Sequence, residues 1–235
     1  TAAPNLFSRR MRASAYNPIY YDPAIRYQPW LKGDGTRYPD APPSAAPVLP
    51  GASATQNLTG VQTVANNRWC WATGSCRSST SQTAHLARYY TMTGSGNDVN
   101  DFTLVKIQSG QSYPKAAGRT DCAAESSCTY EEEIQNFANW YTYYRTRALT
   151  AIAGTAEAFA AVPAEYRVGY GRINNGTSAS LDGVSTRTLV RGVRAFSGAD
   201  KDGFYNWLAE QTQPSGSTPL RRAMDDVGRY FSRSD

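Results

Sequence analysis

The stretch TYEEEIQNFANWYTYYRTRALTAIAGTAEAFAA, residues 129–161, decides how the rest of the chain is read. Ile134, Phe137, Tyr141, Tyr144, Leu149, Ile152, Ala156 and Phe159 recur every three to four residues and draw one apolar stripe, which predicts a single helix. Thr129 followed by Glu132 is a capping box, in which hydroxyl and carboxylate each satisfy an N–H of the first turn. Glu131, Glu132 and Glu133 suit the positive end of the helix dipole and read as a solvated first turn, and Pro163 ends the run. At about 1.5 Å per residue such a helix would be on the order of 45 Å long.

C-terminal to it, Tyr166–Ile173 and Thr188–Phe196 alternate as strands. A helix is expected over Asp200–Gln211, carrying Phe204, Tyr205, Trp207 and Leu208. The polar loop Gln213–Ser217 then leads to a last helix ending near Phe231, with Thr218 as N-cap and Pro219 at the first helical position. Helix, strand, strand, helix, helix is part of an α/β layered domain.

N-terminal to it, residues 1–15 are polar and basic, reading as an arm or linker. Residues 16–60 hold Pro18, Pro23, Pro29 and Pro39, which exclude a long helix, while tyrosines and Trp30 supply apolar area for an extended segment laid over a core. Arg88–Met92 and Phe102–Ile107, joined through Gly94–Asp98, predict a hairpin within residues 61–128. Residues 129–235 form the α/β portion.

The four cysteines fall in two pairs, Cys70/Cys76 and Cys122/Cys128, each enclosing five residues. Even number and local pairing favour two short-loop disulfides stapling the β-rich stretch, in an oxidising compartment. A four-thiolate zinc site is the competing reading, and crossed connectivity stays open. The formal charge is +5, nearly all of the base being arginine, but scattered rather than clustered, which argues against nucleic acid as a partner. No run approaches the roughly 20 apolar residues of a membrane span.

The residues offer little for catalysis. His85 is the single histidine, so a Ser-His-Asp or Cys-His site has no material, and it reads as structural. Asp98, Asn100 and Asp101, like Asp200 and Asp202, resemble fragments of a calcium loop but lack the glutamate that closes an EF-hand. Asp225 and Asp226 read as surface carboxylates. Thr218, after a Gly/Ser loop, can point its hydroxyl either at its own helix or at a divalent cation.

Tyr16–Tyr27 (YNPIYYDPAIRY), Phe137–Tyr141 (FANWY) through Tyr144–Arg147, Arg167–Tyr170, Phe204–Leu208 and Ser217–Arg221 together resemble the N-terminal region of PilY-type proteins, the type IV pilus biogenesis factors and tip adhesins. The resemblance implies a von Willebrand factor A-like (Rossmann-like) layered domain carrying a disulfide-stapled β-rich insertion. In such a domain Thr218 stands where the threonine of a metal-ion-dependent adhesion site is expected, for Mg2+ or Ca2+ in the parent protein. The Asp-x-Ser-x-Ser loop of that site is absent from this sequence. Two explanations compete, a piece of a longer protein and a member of a subset that has lost the metal site; the first is expected, so that the domain is incomplete and another chain or segment completes its sheet. The implied partners are minor pilins, the pilus tip and a host or abiotic surface. The implied location is extracellular, at pilus tip or cell surface, reached through the periplasm, and no reaction is expected. The alternatives are a secreted metal-assisted hydrolase and a purely structural module supporting a neighbouring domain.

Overall fold

The stretch read as one helix folds as two. In the computed structural model Tyr130–Tyr143 and Arg147–Ala160 are separate helices, and the break falls at Tyr144–Thr146. Tyr144 leaves helical geometry at φ −135°, although its N–H still reaches the carbonyl of Trp140. Thr146 then starts the second helix, its hydroxyl accepting from Leu149 N at 3.3 Å, while Thr150 Oγ1 donates to the freed carbonyl of Tyr144. Arg145 turns back and donates to Tyr141 O, satisfying a last-turn carbonyl of the first helix. The capping box at Thr129 and Glu132 forms as the sequence predicts.

The structure describes residues 5–65, 68–72, 75–78, 81–212 and 216–234, with side chains for all of these except those within 64–82. In chain order the elements are α1 (Leu6–Arg10), β1 (Ala46–Pro47), β2 (Thr55–Gln56), β3 (Val61–Ala65), β4 (Arg68–Ala72), β5 (Ser75–Ser78), β6 (Ser81–His85), β7 (Arg88–Met92) and β8 (Phe102–Lys106). They continue with β9 (Tyr113–Pro114), β10 (Ser127–Cys128), α2 (Tyr130–Tyr143), α3 (Arg147–Ala160), β11 (Arg167–Gly171), β12 (Ala179–Leu181), β13 (Val184–Thr186), β14 (Leu189–Ala195), α4 (Gly198–Ala209) and α5 (Leu220–Phe231).

Every ladder among the described residues is two-stranded and antiparallel. The chain is thus mixed α and β, but these residues do not form the doubly wound sheet that the family resemblance implies. The reason is local. A parallel pair needs a crossover, usually a helix, whereas β11 and β14 are joined through the hairpin β12–β13 and so pair antiparallel. Two compact units divide the chain, residues 1–30 with 37–153 and residues 31–36 with 154–235.

In the first unit the proline-rich segment lies on α2, and α2 side chains supply the hydrogen bonds that the segment cannot make for itself. Asn136 accepts from Tyr27 N at 2.7 Å and donates to Ile25 O, and Asn139 accepts from Ala41 N and donates to Asp40. Trp140 donates to Ile19 O, Tyr144 to Gln28 O, Tyr143 to Pro39 O, Thr142 to Pro47 O and Arg145 to Val48 O. Buried backbone must find partners somewhere, and here a row of polar side chains stands in for a neighbouring strand. The FANWY run therefore has two duties. Phe137 and Trp140 pack the ring of Tyr21, at centroid distances of 4.9 and 5.9 Å, while the asparagines read backbone.

The expected hairpin β7–β8 forms, with Arg88 opposite Lys106 and Met92 opposite Phe102. Residues 5–15 are more than a linker: α1 is capped by Asn5, and Arg9 and Arg10 donate to the carbonyls of Val99 and Gly96 at the hairpin's connection. In the second unit the core is aromatic, Phe204 lying 4.6 Å from Phe159 and 5.5 Å from Phe196, with Tyr170 and Trp207 alongside.

Candidate functional site

The helix α5 turns an apolar stripe outward, beside the exposed Arg221, Arg222, Asp225 and Arg229, and buries a strip that includes a carboxylate. Ala223, Asp226 and Tyr230, three and four residues apart, are buried, whereas Leu220, Met224 and Phe231 are 59, 69 and 68% exposed. A surface helix ordinarily does the reverse, so an apolar stripe left outside marks a contact surface. The stripe continues through Val227 into a groove of about 570 Å³ along β11 and β14, where Val168, Tyr170, Leu189 and Val193 meet Tyr230 and Phe231.

Polar anchoring holds the helix in this orientation. The Asp226 carboxylate accepts from Arg187 N at 2.9 Å, from the Thr188 hydroxyl at 2.9 Å and from Arg229 at 2.5 Å. Burial works against its charge, but these donors outweigh it and hold the carboxyl below its ordinary range. Tyr230 Oη accepts from Val193 N at 2.8 Å and donates to Asp182 at 2.6 Å. Asp182 also pairs with Arg194, and this bond, then that of Tyr230, holds its carboxyl far below the usual carboxylate range. Asp182 can reach this place because it sits with Gly183 at the tip of β12–β13, both at positive φ (49° and 79°), the geometry of a two-residue hairpin turn. A Cβ at Gly192 would lie 2.4 Å from Asp182 Oδ2 and 2.7 Å from Tyr230 Oη, so only glycine lets the cluster close.

Thr218 is exposed and lies one residue outside the cap it was expected to form: Pro219 is the N-cap of α5, and no side chain caps the helix. Its carbonyl accepts from Leu220 N, which displaces the helix start by one position. Within the expected loop Gln213–Ser217, Gln213, Pro214 and Ser215 lie outside the described residues. Cys122 and Cys128 form a disulfide. Cys70 and Cys76 are register partners across β4 and β5, but their side chains, and with them the expected second disulfide, lie outside the described ones. Among the described residues one group of three metal-ligand types lies close together, Cys122, Cys128 and Glu132, and its sulfurs are spent on each other.

His85 is buried, with Nε2 2.7 Å from Ile107 O. Asp98 and Asp101 turn their oxygens onto their own backbone as the capping box of a short 3-10 turn. Asp200 pairs with Arg191. Two readings need correction. Glu133 is not part of a solvated first turn but fully buried against Arg119, and Asp226 is not a surface carboxylate. Neither burial is visible in a run of like residues, because each is decided by a distant partner. The Asp182–Gly183 turn does carry a sequence signal, a hairpin dipeptide between alternating residues.

No family model matches the chain, and no solved structure does. Among curated proteins it is similar to the type IV pilus biogenesis factor PilY1 of Pseudomonas aeruginosa. The identity is 27% with that of strain PAO1, over 94% of this chain and 18% of that protein, and 29% with that of strain UCBPP-PA14, over 95% and 18%. With that of strain PAK it is 34%, over 52% of this chain and 11% of that protein. By sequence the chain is a relative of the PilY1-type biogenesis factors, aligned along nearly all of its own length with less than a fifth of theirs.

Proposed function

We propose that the chain is a non-enzymatic contact module of a type IV pilus biogenesis factor. The observation that carries this reading is the similarity to PilY1 proteins along nearly the whole chain. The module would act by binding, engaging minor pilins to promote pilus assembly at the tip and presenting aromatic surface to a host or abiotic surface. The Cys122–Cys128 bridge suits an exported protein at pilus tip or cell surface. No helix among the described residues is long and apolar enough to cross a membrane.

The apolar stripe of α5 supports a docked neighbour, and we assign it to a further segment of the same polypeptide, since this chain spans under a fifth of its relatives' length. A von Willebrand factor A-like domain enters the proposal in that form. Among the described residues the β11–β14 pair is a two-stranded ribbon with no further strand on either edge, which another segment would extend. Thr218 would contribute to an Mg2+ or Ca2+ site only together with residues of that segment. Calorimetry should then find weak or no binding of either ion to this chain, and tight binding abolished by Thr218→Ala would overturn that part.

The reading as a whole is tested by immunogold microscopy of the source cells, using an antibody to residues 61–121. Label at pilus tips is expected. Label confined to the cell body, with none on pili, would remove the pilus reading.

A further inference from the structure

A cavity of about 360 Å³ in the first unit gathers three guanidinium groups, those of Arg12, Arg88 and Arg145, and no carboxylate stands among the described residues that line it. Two of the arginines are held by neutral partners. Arg145 donates to Tyr141 O and Val48 O and lies 4.1 Å above the Tyr141 ring, and Arg12 bonds Ser8 O and the hydroxyl of Tyr20. Arg88 differs. Its backbone carbonyl accepts from Tyr20 Oη at 2.8 Å, which fixes the residue at the cavity wall. Its guanidinium meets no hydrogen-bond acceptor or carboxylate among the described residues.

Burial first, then the charge of Arg12, pulls Arg88 below its ordinary range. An arginine nevertheless stays protonated, so the cavity holds a partly desolvated positive charge beside a second one. Such an arrangement is unfavourable unless an anion completes it. The remaining wall has an apolar side, Ile19, Leu58, Leu86 and the indole of Trp140, which is set 4.8 Å from the Tyr20 ring, and carries the neutral amides of Asn17 and Gln56 elsewhere. A bare inorganic anion would have no use for that apolar side.

We propose that this cavity binds a carboxylate carried on an apolar body, with Arg88 as the charge partner and the Trp140–Leu86 side receiving the apolar part. A carboxylate offers two oxygens to the planar fork of a guanidinium, the geometry of the strongest hydrogen-bonded ion pairs. The same chemistry could be presented by a small organic acid or by the C-terminus of a peptide ending in an apolar residue. The site does not depend on the pilus reading, because binding is measured on the isolated chain.

The test is calorimetry on the full chain with five probes: N-acetyl-phenylalanine, N-acetyl-Ala-Ala-Phe, their two C-terminal amides and inorganic phosphate. Both free acids should bind and both amides should be weaker by about tenfold or more. A tighter tripeptide identifies a peptide end as the source, and equal affinities identify the small acid. Phosphate binding as tightly as either acid would overturn the role of the apolar wall, and equal binding of acids and amides would overturn the site. Arg88→Gln should abolish the difference between acid and amide. Should that variant fail to fold, Leu86→Glu tests the same point by placing a carboxylate inside the cavity. Acid binding should be lost while the melting temperature holds, and retained acid binding would overturn the proposal.

Discussion

Arg119 and Glu133 form an ion pair at 2.5 Å with both side chains fully buried. Arg119 also reaches Asp121 and the carbonyl of Pro23, and the other oxygen of Glu133 accepts from Tyr21 at 2.8 Å. One ion pair thus joins the first turn of α2, the residues just before the disulfide loop and the proline-rich segment. Burial raises the carboxyl of Glu133, with Arg119 pulling it back, and burial likewise raises the Tyr21 hydroxyl well above its usual range. Removing Glu133 leaves the buried Arg119 with Asp121 as its remaining carboxylate and takes the acceptor from Tyr21. Glu133→Ala should cost about 3–5 kcal/mol, read as a fall in urea midpoint, and Glu133→Gln should cost less because it keeps an acceptor for Tyr21. A loss under about 1 kcal/mol in the alanine variant would show that Asp121 and entering water satisfy Arg119 without Glu133.

Asn136 and Asn139 make a different prediction, in exchange rates rather than in stability alone. Each accepts from a backbone N–H of the proline-rich segment, Tyr27 and Ala41 respectively. Alanine at either position should cost about 1–3 kcal/mol by leaving a buried donor unpaired. Hydrogen exchange should find the Tyr27 amide deprotected in Asn136→Ala and the Ala41 amide in Asn139→Ala. Deprotection spread evenly over the unit would contradict the one-to-one pairing.

Acid should weaken the second unit in a defined window. Asp182 and Asp226 both have carboxyl groups held below their ordinary value of about 3.8. A lowered folded pKa stabilises fully above the unfolded value, and that contribution is lost as pH falls through the folded one. Melting temperature should therefore be flat above about pH 5 and fall progressively below about pH 4. Asp182→Asn and Asp226→Asn should melt lower at neutral pH but with a shallower acid slope. Curves parallel to the parent's would mean that other carboxylates carry the acid response.

The α5 stripe separates folding from contact. Met224→Glu and Phe231→Glu alter side chains that stand mostly in solvent, so the isolated chain should keep its stability to within about 0.5 kcal/mol. In a longer polypeptide whose further segment covers the stripe, as proposed, the same changes should lower stability. Unchanged behaviour there would leave the stripe without a covering segment.

Much of the local structure was legible in the sequence. The capping box at Thr129, the hairpin strands around Gly94–Asp98, the strands near Tyr166 and Thr188 and the helix carrying Phe204 all rest on short-range patterns, and all formed. The break at Tyr144–Thr146 was hidden because the apolar stripe continues across it while Thr146, a good cap, sits inside the pattern. Pairing was less legible still. Alternation shows that β11 and β14 are strands, but their direction follows from the Asp182–Gly183 turn between them. The anchoring of α5 was misread for a related reason: Asp226 looks like any surface carboxylate until Arg187 and Thr188 are brought to it.

The hydrogen bonding between α2 and the proline-rich segment places the instructions for that segment outside it. From Ile19 to Val48 the path is written largely in the side chains of residues 136–145, which grip carbonyls and amides that every sequence possesses. Outward-facing side chains of the segment are correspondingly free to change identity without moving the backbone. A protein whose exposed face must be rewritten often, while its course stays fixed, could be built on such a division of labour.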